Sequence, residues 1–288
     1  MTFLPIVDRE LRVASRRRST YWMRMGGAIG AMAFGNWIML VMYELPPQYM
    51  GKSLFSTLSV ITFIYAVITG ARLTSDCLSE EKREGTLGLL FLTDLKGYDV
   101  VFGKLAANSI GSFYVILASF PVLAISLLLG GVTYGEFGRV VLVSMNLLFL
   151  ALSIGMFTSA VCRDERTAMG LSFLLLIIIG FTTPLIGLLT YYENMQKFNT
   201  NFLVPSPVYS CVLAFDPIYQ SKSEDFWKSS ALTHIYGWIC LVLSCWIVPR
   251  SWQDKSLSKK QLARRQKLFE ITQGNSDARN QFRPRLLD

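Results

Sequence analysis

Residues 72–108 read RLTSDCLSEEKREGTLGLLFLTDLKGYDVVFGKLAAN, a charged island set between two apolar runs. The runs on either side decide the fold class. Upstream, residues 53–71 contain no Asp, Glu, Lys or Arg, and downstream residues 105–135 contain none. In hydrocarbon an unpaired charge or an unbonded peptide group costs several kcal/mol, so a spanning segment must be a helix of about 20 uncharged residues that bonds its own backbone. Both runs satisfy that condition.

Further out along the chain the same pattern recurs. Six spans are predicted, at about 25–43, 53–75, 105–130, 139–162, 167–191 and 229–249, with no Asp, Glu, Lys or Arg between their ends, where Arg72 and Arg139 stand, and with the chain's one histidine, His234, in the last. Residues 198–215 are also uncharged, but Asn199, Asn201, Pro205, Ser206, Pro207 and Ser210 would leave backbone groups unsatisfied in lipid. That stretch reads as part of an outer loop over residues 193–228, rich in aromatic residues suited to the headgroup level. The predicted fold is all-α and polytopic, with residues 1–252 forming the membrane domain and residues 253–288 a basic, partly disordered tail.

Composition agrees. Hydrophobic residues make up 52% of the 288 and charged residues 17%, against about a quarter in soluble domains, and the mean hydropathy is +0.39. The net charge of +8 sits between and outside the apolar runs, so it marks orientation and not a nucleic-acid surface. Of the 28 Lys and Arg residues, 23 fall on the side that carries both termini and residues 72–104, and Lys52, Arg139, Lys197, Lys222 and Lys228 fall on the other. The basic side is predicted to be cytoplasmic, which places both termini there.

Before the first span, Phe3, Val7, Leu11 and Ala14 share one helical stripe, as in a helix lying in the interface. No small-residue cleavage pattern closes the first apolar run, so it reads as an uncleaved span. Gly26 and Gly30 form a GxxxG pair on it, a spacing that favours close helix packing within or between subunits. Pro121 and Pro184 fall inside the third and fifth spans.

The island itself packs Glu80, Glu81, Lys82, Arg83 and Glu84 into five positions. Gly85 and Thr86 follow, then the apolar set Leu87, Leu89, Leu90, Phe91 and Leu92. A charged turn leading into a short apolar helix can lie on the membrane surface and present a face to a soluble partner. Arg72, Asp76, Glu84 and Lys104 stand at similar depth, as either a switchable polar relay or ordinary anchoring charges that reach the headgroups.

The stretch SEEKREGTLGLLFLTDLKGYDVVFGKL resembles the characteristic pattern of the ABC-2-type permease family of ABC transporters, and residues 4–24 are similar to the amphipathic entry segment of the same permeases. What the resemblance implies is a coupling helix between spans 2 and 3 that docks on a cytoplasmic ATP-binding protein through Glu80, Glu81, Lys82, Arg83, Glu84, Gly85, Thr86, Leu87, Leu89 and Leu90. It also implies a second permease copy, identical or related, an inner-membrane location, and export as the direction. No GxxxxGK[ST] loop occurs, so this chain is expected to hold no cofactor, with ATP and Mg on the partner subunit. A secondary transporter fits less well, since the span interiors lack the ionisable residue that ion coupling usually needs. A membrane enzyme lacks a catalytic constellation around His234. A non-transporting membrane anchor for the ATPase would use the same loop.

Overall fold

The computed structural model describes residues 18–41, 43–44, 46–87, 96–194 and 200–251. Residues 3–17 of the expected interfacial helix, Leu89 and Leu90 of the expected docking set, and the tail over residues 253–288 lie outside the described residues.

Among the described residues the fold is all helical. Five helices are long and apolar enough to cross a membrane. They are α2 (Pro47–Thr74), α4 (Gly97–Leu128), α5 (Tyr134–Val161), α6 (Glu165–Asn194) and α9 (Ser223–Ser251). The expected six therefore becomes five by this measure. The first helix, α1 (Arg18–Val41), contributes only the shorter apolar stretch Met32–Val41. Its other half carries Arg18, Arg24, Ser19, Thr20 and three glycines, which dilute the apolar character.

The helices also overrun the predicted spans. α2 begins at Pro47 where the sequence suggests 53, and α4 at Gly97 where it suggests 105. The uncharged interval marks only the hydrocarbon-crossing part, whereas a helix continues into the headgroup zone, where polar caps hold its ends. Thr133 caps α5 by accepting the Glu136 N–H at 3.1 Å, and the Asp99 carboxylate accepts the Lys96 N–H at the start of α4 at 3.0 Å.

α5 is the central element. It packs against α2, α4, α6 and α9, while α1 lies on α4 and α2. The α2–α5 seam is close because glycine faces it from both sides. A Cβ on Gly70 would stand 2.7 Å from the Ala151 Cβ, and one on Gly155 would stand 2.9 Å from the Ala71 carbonyl oxygen. Backbones this near allow the Thr74 hydroxyl to donate to the Leu152 carbonyl at 2.8 Å. Gly26 and Gly30 of α1 have nothing within 4 Å of where a Cβ would stand, so the GxxxG face makes no such seam inside the described chain.

Residues 193–228, read as loop, are partly helical. A 3₁₀ turn at Thr200–Phe202 leads to α7 (Pro207–Leu213) and α8 (Asp216–Tyr219). Pro207, which with Pro205 argues against a continuous span, sits in the first turn of α7, and Pro217 in the first turn of α8, where no intrahelical N–H bond is lost. Their apolar faces close a hydrophobic core with Leu54, Phe55 and Phe226. Arg139 ties this layer down: its Nε donates to the Ala214 carbonyl at 3.0 Å, its guanidinium pairs with Asp216 and lies 3.8 Å from the Tyr219 ring centre. Arg139→Met should leave Asp216 without its cation in a half-buried site at a cost of about 3 kcal/mol. The expected result is faster limited proteolysis between residues 200 and 222, and an unchanged cleavage rate would contradict this role.

Candidate functional site

At the other end of the bundle α2 breaks at Ser75 and Asp76, and the chain re-enters helix as α3 (Cys77–Glu84). The charged cluster is itself the helix, not the turn expected before an apolar one. Glu, Lys and Arg are strong helix formers, and Gly85, at φ 72°, ends α3 in the left-handed conformation that favours glycine. Leu87 then folds inward and is buried with Leu78, Val100, Val101, Met156, Ala160, Leu241 and Val248.

α3 therefore has two faces. Glu80, Arg83, Glu84 and Gly85 are exposed, while Glu81, Lys82 and Thr86 are half-buried. Glu81 pairs with Lys104 of α4 at 2.7 Å, and the Thr86 hydroxyl donates to the same carboxylate. The Lys82 ammonium donates to the carbonyls of Ser159, at 3.4 Å, and Ala160 at the end of α5. Arg83 grips Asp76 through two nitrogens at 2.7 and 2.9 Å and also donates to the Arg163 carbonyl at 3.2 Å.

The four residues of the possible relay are thus not brought together. Asp76 pairs with Arg83 and Lys104 with Glu81, whereas the exposed side chains of Arg72 and Glu84 join neither pair. Of the expected docking set, the described outward members are Glu80, Arg83, Glu84 and Gly85, and Leu87 belongs to the core. The part the loop sequence does not reveal is the α5 end. Ser159, buried completely, accepts the Leu78 and Ser79 N–H groups at 2.7 and 2.9 Å. These residues lie about 80 positions away, and the only local signal is a Thr158-Ser159 pair closing an apolar helix.

Two further features complete the picture. An apolar groove of about 410 Å³ runs between α2, α5, α6 and α7, lined by residues such as Val60, Ile64, Leu150, Ile177 and Val208. His234 of α9 stacks on Phe149 with ring centres 4.8 Å apart. Its Nδ1–H donates to Asn146 Oδ1 at 3.1 Å, which leaves Nε2 to accept from the Trp238 indole at 3.0 Å. Both ring nitrogens are engaged, as in a packed residue. Among the described residues no group of His, Cys, Asp and Glu side chains could hold a metal ion.

No curated protein matches this chain. The family model for the ABC-2 family transporter protein matches residues 17–249, which takes in every described helix apart from the last two residues of α9, Arg250 and Ser251. A family of membrane transport components that work with an ATP-binding partner accounts for spanning helices joined to a charged surface helix. On that match, the chain is a multi-pass membrane protein belonging to the ABC-2 transporter family.

Proposed function

We propose that this chain is the permease subunit of an ATP-driven exporter in the cell inner membrane, working as a pair of permease copies with a separate cytoplasmic ATP-binding protein that carries ATP and Mg. In this reading α1 is the sixth span: 24 residues of helix measure about 36 Å, enough to cross a bilayer. Both termini are then cytoplasmic, as the distribution of Lys and Arg favours. α3 is the coupling helix.

The observation that carries the reading is the two-faced geometry of α3. One face is fixed to α4 and α5 by Glu81 and Lys82, and the other offers Glu80, Arg83 and Glu84 to solvent. A docking helix needs both properties, since a force applied to the outer face must be passed to the spans. ATP binding shifts the permease only in so far as it favours one arrangement of the spans over another. Movement of α3 with the closing ATPases supplies that difference. The exposed apolar residues of α6, among them Ile177, Phe181 and Leu185, suit a surface that meets lipid and the second permease copy.

Copurification with the ATPase tests the assignment. Glu80→Lys with Glu84→Lys reverses the charge of the outer face without touching the Glu81–Lys104 pair. The expected result is loss of most of the bound ATPase, tenfold or more for about 1.4 kcal/mol, with the permease still folded. Full retention would remove α3 as the docking element.

A further inference from the structure

We infer that Ser159 and Lys82 are positioning residues that cap α3 and α5 against each other, so that the coupling helix and the end of the fourth span move as one body. The inference rests on the reading of α3 as the coupling helix.

A helix of eight residues has little stability of its own, so its orientation is set by what holds its ends. At its N-terminus the first N–H groups have no intrahelical partner. Asp76, in the position of a capping residue, does not cap them. Its carboxylate is occupied by Arg83 and by the Ser79 hydroxyl at 2.7 Å. The Ser159 hydroxyl takes the role from another helix: both its lone pairs accept, one from Leu78 N–H at 2.7 Å and one from Ser79 N–H at 2.9 Å. Its own proton faces the Ser79 hydroxyl at 3.4 Å.

The same problem arises in reverse at the C-terminus of α5, whose last carbonyls have no following turn to bond. Lys82 of α3 donates to two of them, Ser159 and Ala160, and Arg83 to the Arg163 carbonyl just beyond. A cation at a helix C-terminus is also favoured by the helix dipole. Each helix therefore supplies the cap that the other lacks. A few residues away, the Thr74 hydroxyl on the Leu152 carbonyl and the Gly155 contact prevent sliding along the seam. Displacing α3 from α5 would break the bonds of at least two amides and two carbonyls at once, the amides being fully buried.

Hydrogen exchange on the purified permease tests the caps directly. Ser159→Ala should raise exchange at Leu78 and Ser79 by about fivefold to tenfold, the size of a lost helix cap. Exchange at residues 147–154 of α5 should stay as it was. Lys82→Met should loosen Val161 and Cys162 in the same way. A merely structural defect would raise exchange along the whole of α5. Exchange at Leu78 and Ser79 within twofold of the native protein, or a rise spread through α5, would overturn the caps. In the complex with the ATPase, adding ATP and Mg should change protection at α3 and at the end of α5 together in the native protein, and at α3 alone once both caps are removed in Ser159→Ala with Lys82→Met. A change confined to α3 in the native protein would overturn the joint movement. If the native permease binds no ATPase, the docking reading fails, whereas the exchange result on the permease alone still decides the caps.

Discussion

Gly155→Leu should unfold this protein readily by forcing apart the α2–α5 seam. The Cβ alone would stand 2.9 Å from the Ala71 carbonyl oxygen and 3.2 Å from the Ser75 amide nitrogen, and both are backbone atoms that cannot rotate aside. Relief requires the two helices to separate. Overpacking a core costs typically about 1–3 kcal/mol and more where nothing can yield, and separation would also break the bond from Thr74 to the Leu152 carbonyl. A loss of about 3 kcal/mol or more is expected. Gly170 of α6 is the control, because a Cβ there meets nothing within 4 Å. Gly170→Ala should be neutral or stabilising by up to about 1 kcal/mol through helix propensity. Unfolding followed in detergent with increasing SDS separates the two, and equal midpoints for Gly155→Leu and the native protein would show that the seam tolerates a side chain.

How much of this was legible in the chain depends on which solvent wrote the constraint. Lipid forbids charge, so α2, α4, α5, α6 and α9 can be located from uncharged runs alone. Their ends cannot, because Tyr134, Glu136 and Asp99 belong to helices that continue where charge is allowed. α1 is ambiguous since glycine, serine and arginine dilute its first half. Pro205 and Pro207 are legible as barriers to a span, yet a proline in the first turn, as Pro207 is in α7, starts a helix as readily as it stops one.

For the candidate site, the cluster from Glu80 to Glu84 stands out by its charge density. Which of its members face outward does not, because EEKRE has no apolar period to set a helical phase. That phase is fixed by Ser159 and Ala160 of α5 and Lys104 of α4, and no spacing within the charged cluster points to them. Leu87 illustrates the same limit. Its place after a charged segment suits an exposed docking face, but the left-handed turn at Gly85 directs it into the core.

The Glu81–Lys104 pair makes the second large effect. Their side chains are 19% and 12% exposed, and the nitrogen and oxygen stand 2.7 Å apart. Removing one partner from a pair this withdrawn leaves an uncompensated charge, which costs about 3–5 kcal/mol, whereas replacing both with neutral groups of similar shape costs far less. Lys104→Met alone takes the cation away from the half-buried Glu81 carboxylate. It should lower stability by about 3 kcal/mol and release most of the bound ATPase, since α3 loses its tie to α4. Glu81→Gln combined with Lys104→Met should recover at least half of both losses. Because the pair is shielded, raising the salt concentration should change little. If the double variant is no better than Lys104→Met, the two residues act separately, and the attachment of α3 rests on its other contacts, chiefly those with α5.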